Sequence, residues 1–258
     1  MSSFDDAIES LDLGLFASIE SQTSDHDKRS LLACQLGVRT EAPEYAYLEI
    51  GSHLGGSLQP YLQDPRCTRV YSIDNRIASQ PDARGVAFAY RENSRARMLG
   101  AITSVPGADS TKVVCFDTDA AAVNPALVRP QPLLCLIDGE HTDSAVIRDF
   151  AFCRQAVVPD GAVVFHDASI LYLALTRIVE DLSRAGVSFR AYHLPDTVFV
   201  IEWGACTLHR TPAIQDMLLN NHVGYLSSLR GNDHFRRFAN RPVFRALRAF
   251  RRLAGGRA

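Results

Sequence analysis

The chain has 258 residues, 47% of them hydrophobic and 22% charged, which is typical of a globular protein with a substantial core. No stretch approaches the ~18 consecutive apolar residues of a membrane-spanning helix, and the N-terminus shows no secretory signal. The net charge is −2, and six scattered cysteines form no C-x-x-C pair. We therefore expect a cytoplasmic protein whose cysteines are reduced.

Two predicted helices, Phe4–Ile19 and Asp25–Leu36, precede the first strand, and we expect them to cover one edge of a sheet. Short apolar runs then alternate with helix-compatible segments, as in parallel βαβ units. Each run is apolar on consecutive positions, which suits strands covered by helices on both faces. The five predicted strands are Tyr45–Ile50, Arg69–Ile73, Lys112–Phe116, Leu133–Ile137 and Ala162–Phe165.

The predicted helices between these strands are Leu54–Gln63, Glu92–Ser104 and Ser144–Val157. In the third, an apolar stripe leaves Arg148 and Asp149 for the outer face. A helix over Ile170–Ala185 follows. Two strand-like runs, Ser188–His193 and Thr197–Trp203, are then joined by a Leu-Pro-Asp turn, which predicts a hairpin.

The first strand ends in Glu49-Ile50-Gly51, at the edge where open parallel sheets bind ligands. Gly51 permits a tight turn, and Gly55-Gly56 lets the backbone approach a ligand. A carboxylate at Glu49 can bind the amino group of a methionine moiety. Asp74, at the end of the second strand, can accept both ribose hydroxyls. The loop therefore predicts a nucleoside cofactor.

The same loop distinguishes two cofactor classes. A nicotinamide dinucleotide also uses an acid at the position of Asp74, but its pyrophosphate favours glycine where this loop has His53. S-adenosylmethionine has no pyrophosphate and needs no such clearance. The pattern favours S-adenosylmethionine, with a nicotinamide-dependent oxidoreductase and a turn without any ligand as the weaker alternatives.

Polar and ionisable side chains follow the fourth and fifth strands. Asp138, Glu140 and His141 come after the fourth strand, and His166 and Asp167 come after the fifth. Because these strand ends are neighbours in a doubly wound sheet, the side chains converge on one mouth. Burying so many charges for structure alone is costly. We therefore predict a functional site.

Three motifs at these strand ends resemble one family. They are Glu-Ile-Gly-Ser-His-Leu-Gly-Gly-Ser (49–57), Ile-Asp-Gly-Glu-His-Thr (137–142) and Phe-His-Asp-Ala (165–168). Together they resemble the class I methyltransferases of the branch that includes macrocin O-methyltransferases and cephalosporin-hydroxylase-like proteins, over roughly residues 45–203. The resemblance implies an α/β, Rossmann-like fold. Its sheet would have seven mostly parallel strands, an antiparallel last strand and helices on both faces.

The resemblance also implies roles for the site residues. Asp138 and Asp167 would bind a divalent metal such as Mg or Mn, and His141 would be the general base for an acceptor hydroxyl, so that Asp138 and His141 are the catalytic pair. Asp117, near the adenine, is also readable as a helix cap. The expected cofactor contacts are Glu49, Gly51, Ser52, His53, Gly55, Ser57, Asp74, Asp117, Thr118 and Asp138.

His166 departs from the family pattern, which has a carboxylate at this position in the sugar methyltransferases. Magnesium prefers oxygen ligands, whereas imidazole suits manganese, iron or zinc. Two interpretations stay open. Either His166 is a ligand of a different metal, or its ring orients the loop through hydrogen bonds.

The C-terminal end is strongly basic. Residues 235–258 contain eight arginines and no acid, which leaves 19 basic against 29 acidic residues and a charge of −10 for residues 1–234. An acidic body is a poor surface for nucleic acid, so we expect no such partner. The tail from Arg241 has amphipathic helical spacing. This fits a membrane-surface helix, a contact with the body or a second subunit of a homo-oligomer, or a solvated terminus.

These patterns lead to one hypothesis: an S-adenosylmethionine-dependent O-methyltransferase acting on a hydroxyl of a small molecule, such as a sugar or glycosylated metabolite. A cofactor-binding protein without turnover is the alternative from another class. The expected organisation is a helical cover (1–40), a cofactor-binding α/β domain (41–205) and an Arg-rich extension (206–258).

Overall fold

The computed structural model describes residues 3–83, 87–90, 92–220, 226, 241–244 and 246. Nine strands are found there, seven in one sheet and two in a small ribbon. They are β1 (Tyr45–Ile50), β2 (Cys67–Ile73), β3 (Ser79–Pro81), β4 (Ala87–Ala89), β5 (Val113–Phe116), β6 (Leu134–Ile137), β7 (Ala162–Phe165), β8 (Phe189–His193) and β9 (Phe199–Trp203).

The large sheet has the strand order β5-β2-β1-β6-β7-β9-β8. β1 pairs in parallel with β2 and β6, and β6 pairs in parallel with β7. β9 lies antiparallel between β7 and β8. The predicted fold, a mostly parallel seven-stranded sheet with an antiparallel last strand, is confirmed.

The core lies on both faces of the sheet because side chains alternate along each strand. On β1, Tyr45 and Tyr47 pack with the first helices, while Leu48 and Ile50 pack on the opposite face. This alternation leaves Glu49 on the same face as Tyr47, fully buried. A carboxyl group is thus placed inside the core next to the loop that follows β1.

Seven α-helices occur among the described residues. They are α1 (Phe4–Glu9), α2 (Asp25–Glu41), α3 (Gln59–Gln63), α4 (Arg95–Ile102), α5 (Asp143–Ala156), α6 (Tyr172–Arg184) and α7 (Pro212–Asn220). The prediction of one helix over Phe4–Ile19 is wrong. Leu11 takes a φ of 53°, which ends the helical path, and a short 3₁₀ helix over Leu13–Phe16 follows.

Two other segments also differ from expectation. The helix predicted over Leu54–Gln63 begins only at Gln59, because Gly55 takes a φ of 84° and residues 53–58 form turns. After β2 the chain also forms the unpredicted antiparallel ribbon of β3 and β4. This ribbon reaches the edge of the site, where Ala83 donates its backbone N–H to the carbonyl of His141 at 2.7 Å.

Gln59 holds the N-terminal segment on the sheet. Its side-chain oxygen accepts the backbone N–H groups of Ser18 and Ile19 at 2.9 and 3.0 Å. Its amide nitrogen donates to the carbonyls of Phe16, Ile19 and Gly56. Since the donors and the acceptor of this buried amide are all used, residues 16–19 are fixed beside the loop after β1.

Of the helices in the described ranges, none is both long enough and apolar enough to cross a bilayer. Most of the predicted Arg-rich tail, including Arg245, Leu247, Arg248, Phe250 and Arg252, lies outside the described residues.

Candidate active site

A cavity of about 440 Å³ opens beyond the carboxyl ends of β1, β6 and β7. This volume is in the usual range for a small-molecule site. We call it the large cavity. It is lined by Glu20, Ser21, Gln22, Thr23, Gly51, Ser52, His53, Leu54, Gly56, Ser57, Phe88, Tyr90, Asp138, His141, His166 and Asp167.

Gly51 is required where β1 approaches β6. Its φ is 94°, and a β-carbon on it would lie 2.2 Å from the carbonyl oxygen of Asp138. A distance this short is impossible, so only glycine lets the loop after β1 turn beside the end of β6. The turn brings the predicted cofactor loop next to the predicted reactive residues.

Glu49 lies beneath this loop, outside the lining of the large cavity. Its carboxyl group accepts hydrogen bonds from the hydroxyls of Tyr47 at 2.8 Å and Ser57 at 2.7 Å. Burial raises the pKa of Glu49 to about 7, although the hydrogen bonds from Ser57 and Tyr47 lower it. Both carboxyl oxygens are thus engaged by the chain itself.

The other predicted loop residues divide into two groups. Ser52, His53 and Ser57 line the large cavity, with Ser52 almost fully buried. Gly55 instead faces the core, where a β-carbon would lie 3.2 Å from the side chain of Ile102. His53 has a φ of 44°, and its ring meets that of Tyr90 edge to face with centroids 5.1 Å apart.

Asp74 is buried and surrounded by donors. One carboxyl oxygen accepts the backbone N–H of His53 at 2.8 Å, and the other accepts that of Arg76 at 2.7 Å. The side chains of Arg76 and Asn93 add longer contacts at 3.4 and 3.3 Å. A carboxylate has about four acceptor positions. A ribose at Asp74 must therefore displace the Arg76 guanidinium or the Asn93 amide.

Arg76 also connects Asp74 with Asp117. Its guanidinium lies 3.4 Å from Asp117, which pairs at 2.7 Å with Arg95. Arg76 was not among the predicted site residues, because an arginine two residues after a strand-end acid is a weak signal. The helix-cap interpretation fits Asp119 instead, whose side chain accepts the backbone N–H of Ala121.

A second cavity, which we call the small cavity, has a volume of about 30 Å³ and lies on the other side of Gly51. The predicted adenine contact Thr118 lines it together with Asp74. The volume suffices for about one water molecule. The lining is completed by Ile50, Ile73, Asn75, Gln80, Asp119, Ala120, Gly139, Glu140, Ala145 and Asp149.

Asp138, His141 and Asp167 come together on the floor of the large cavity. The Nε2 atom of His141 lies 3.5 Å from Asp138 Oδ1 and 3.3 Å from Asp167 Oδ2. Asp167 turns toward this point with a φ of 55°. Each of the three residues offers a ligand atom within 4.8 Å of the others. The sequence prediction that these strand ends converge thus has a definite geometry.

His166 is held by carboxylates on both sides of its ring. Nδ1 lies 3.0 Å from Asp138 Oδ1, and Nε2 lies 3.3 Å from Asp27 Oδ2. The set of ligand atoms close enough to share one metal ion comes from Asp138, His141 and Asp167 and does not include His166. The geometry favours the interpretation in which His166 orients the loop over its prediction as a metal ligand, because neither ring nitrogen is free.

Asp27 is a site-supporting residue that the sequence analysis missed. It is buried in the first turn of α2, and besides His166 it accepts the backbone N–H of Thr197 at 2.8 Å and that residue's hydroxyl at 3.0 Å. No local pattern signals this role, because Asp27 is 139 residues from His166 in sequence. It ties the N-terminal cover to the reactive cluster.

The cluster separates charge between acids and histidines. Burial raises the pKa of Asp138 and lowers that of His166, but the opposite charges and hydrogen bonds of the cluster together outweigh it, so Asp138 is lowered and His166 raised. Burial likewise lowers the pKa of His141, yet its hydrogen bond to Asp138 and the nearby carboxylates raise it overall. Both histidines therefore favour the protonated form more than a free imidazole does.

The donor set suits a divalent cation. Two carboxylates and one imidazole at mutual distances under 4.8 Å match the ligands of manganese, iron or zinc better than the all-oxygen set of magnesium. When bound, such a cation supplies a Lewis acid that acidifies a coordinated hydroxyl.

The comparison with known families agrees with this geometry. Residues 48–168, which run from within β1 to the cluster after β6 and β7, match the model of a family described as a methyltransferase domain. The match covers just under half of the chain. The prediction of a class I methyltransferase that uses S-adenosylmethionine is confirmed. The same match argues against the alternative of a nicotinamide-dependent oxidoreductase. No curated protein sequence matches the chain.

Solved structures, methyltransferases among them, share the fold. Cofactor-bound Rv0187 from MTB is 13% identical with a TM-score of 0.51, covering 78% of this chain and 90% of that chain. The O-methyltransferase TomG from Streptomyces achromogenes, in complex with SAM, is 16% identical with a TM-score of 0.51, covering 77% and 89%. MycE, in complex with Mg, SAH and mycinamycin VI, is 17% identical with a TM-score of 0.50, covering 76% and 54%.

Proposed function

We propose that this methyltransferase transfers the methyl group of S-adenosylmethionine to a hydroxyl of a small molecule, such as a sugar or a glycosylated metabolite. The observation that carries the proposal is the position of Asp138, His141 and Asp167. They form the floor of the same 440 Å³ cavity whose wall is the loop of Gly51 and Ser52. Methyl donor and acceptor hydroxyl can therefore meet in one enclosed space.

The chain's own residues supply the proton chemistry. An alcohol is a weak nucleophile at neutral pH, so its proton must be removed as the methyl group transfers. His141 faces the cavity between two carboxylates and is the nearest ring that can accept that proton. Burial lowers the pKa of His141, but the hydrogen bond to Asp138 and the nearby carboxylates raise it overall, so the neutral ring is a stronger base than a free imidazole.

Asp138 and Asp167 hold the acceptor in place for this step. Their carboxylates flank His141, and Asp138 is oriented by His166, which is itself fixed by Asp27. These contacts from Asp27 through His166 limit the rotation of the Asp138 carboxylate. The carboxylates of Asp138 and Asp167 would also hold a divalent cation, which leaves the His141 ring to accept the proton; MycE was solved with Mg.

The walls of the large cavity favour a polar acceptor with a ring. Residues 20–23 contribute carboxylate, hydroxyl and amide groups, and Phe88 and Tyr90 contribute aromatic faces. A sugar ring combines hydroxyls with an apolar face, so this lining can bind it. MycE was solved with mycinamycin VI and TomG acts in tomaymycin synthesis, which supports a metabolite as the acceptor.

The organisation into a cover (1–40), an α/β domain (41–205) and an Arg-rich extension (206–258) is retained as part of the proposal. The proposal also retains a contact of the tail with a membrane surface or a second subunit, and a cytoplasmic location.

The first test is titration calorimetry of chelator-treated protein with S-adenosylhomocysteine and, in parallel, with NADH. Micromolar binding of the first and none of the second is expected. Transfer of a labelled methyl group to hydroxylated sugars is then measured with chelator, Mg²⁺ or Mn²⁺. Absence of heat with S-adenosylhomocysteine would overturn the proposed cofactor, and binding without transfer to any hydroxyl acceptor would leave a binding protein without turnover.

A further inference from the structure

Asp149 is a buried acid without an assigned role. It lies on α5, where the sequence analysis expected an outward-facing residue, yet only 5% of it is exposed. Its carboxyl group faces the small cavity, and a β-carbon built on Gly139 would lie 3.8 Å from its Oδ2. Among the described residues none makes a hydrogen bond or ion pair to this carboxyl group.

The surroundings of Asp149 oppose its ionisation. The charged groups that face it are Asp119 after β5, Glu140 after β6 and Arg148 on its own helix, and Asp74 lines the same cavity. The Arg148 guanidinium is directed at Asp119, 3.9 Å away. Burial, followed by the charge of Asp119, raises the pKa of Asp149 to about 7. The carboxyl group therefore keeps its proton in a large share of molecules at neutral pH.

A protonated carboxyl group presents an O–H donor beside a C=O acceptor. Adenine presents the complementary pair, because its N6 amino group lies next to a ring nitrogen that accepts. An asparagine amide makes the same two-bond contact with adenine. An ionised carboxylate offers only acceptors and would repel the ring nitrogen.

The small cavity is where an adenine would lie if a cofactor is bound beyond β1. It touches the end of β1 at Gly51, the predicted ribose partner Asp74 and the predicted adenine contact Thr118. At about 30 Å³ it holds no more than about one water. An adenine ring therefore enters only when residues of the lining move aside. We propose that Asp149, as a neutral carboxylic acid, binds the N6 edge of the adenine of S-adenosylmethionine. This inference rests on the cofactor use proposed above.

The test measures S-adenosylhomocysteine affinity by calorimetry at pH 6.0 and pH 8.5. The wild-type affinity should fall by roughly tenfold over this range as the neutral acid is lost. Asp149→Asn keeps a donor beside an acceptor, so it should bind at both pH values as wild type does at pH 6.0. Asp149→Leu should bind about ten- to a hundredfold more weakly at both.

Matched controls separate Asp149 from every other titrating group. Asp149→Asn reports the pH dependence of the rest of the site, and Asp181→Asn, on the exposed face of α6, should keep the wild-type profile. An analogue of S-adenosylhomocysteine dimethylated at N6 lacks the adenine donor. It should bind wild type and Asp149→Leu equally weakly.

The outcomes distinguish the two proposals. If wild type fails to bind S-adenosylhomocysteine at either pH, the cofactor use is overturned and the adenine contact with it. If wild type binds and Asp149→Leu, folded by its melting curve, keeps wild-type affinity, only the adenine contact is overturned. If the leucine variant does not fold, a pH dependence in Asp149→Asn equal to that of wild type overturns it instead.

Discussion

The large and small cavities lie on opposite sides of Gly51, and the pKa values of Asp138 and Asp149, which line them, shift in opposite directions. In the large cavity Asp138 lies 3.0 Å from His166, and attraction to that histidine lowers its pKa despite burial. In the small cavity Asp149 has no such partner, and burial raises its pKa to about 7. Of these two buried acids, the one beside histidines has the lowered pKa, so an ionisable partner of opposite charge outweighs burial.

The largest expected effect is on turnover at the large cavity. His141→Ala should lower the methyl-transfer rate by about 10²–10⁴-fold, because the group that accepts the hydroxyl proton is removed. Affinity for S-adenosylhomocysteine should change little. The measurement is labelled methyl transfer beside calorimetry, with Asp181→Asn as the surface control. A variant with wild-type turnover would remove His141 from the chemistry.

Neutralising an acid of the paired network should destabilise the protein. Asp27→Asn keeps an acceptor for the backbone N–H of Thr197 but loses the charged bond to His166. The cost in free energy of unfolding should be about 3 kcal/mol, as for a hydrogen bond to a charged group. Urea unfolding at pH 7 measures it. Unchanged stability would show that His166 does not depend on Asp27.

The same substitution at the small cavity should have the opposite sign. The folded pKa of Asp149, about 7, lies above its value of 3.8 in a free side chain, so the folded state binds more protons between these pH values. Stability from this group is therefore present at low pH and lost as pH rises to about 7. Asp149→Asn avoids that loss and should stabilise the ligand-free protein by a few kcal/mol at pH 8.

Urea unfolding of wild type and Asp149→Asn at pH 5 and pH 8 checks this. The gain of the asparagine variant should grow from the lower to the higher pH, whereas the loss in Asp27→Asn at pH 7 has the opposite sign. A gain that is the same at both pH values would mean that Asp149 does not titrate in this range.

The sequence predicted the features that leave a local pattern and missed those that depend on contacts between distant segments. The strands were readable because each is apolar at consecutive positions, and Asp138, His141 and Asp167 because they follow strand ends that parallel pairing makes neighbours. The role of Asp27 depends on a contact across 139 residues, which no local period records. Asp149 was wrongly assigned to the surface, because its burial depends on the loop after β5 packing on α5.

The smallest predicted effect concerns Asp74, which lines the small cavity and accepts the backbone N–H of His53, a residue that lines the large cavity. Asp74→Asn should weaken S-adenosylhomocysteine binding by about tenfold, since an amide accepts from only one of the two ribose hydroxyls. The effect stays moderate because the ribose must already displace Arg76 or Asn93. Calorimetry at pH 7 beside Asp181→Asn measures it. Equal affinity in the two variants would mean that the ribose leaves Asp74 to its protein partners and binds elsewhere.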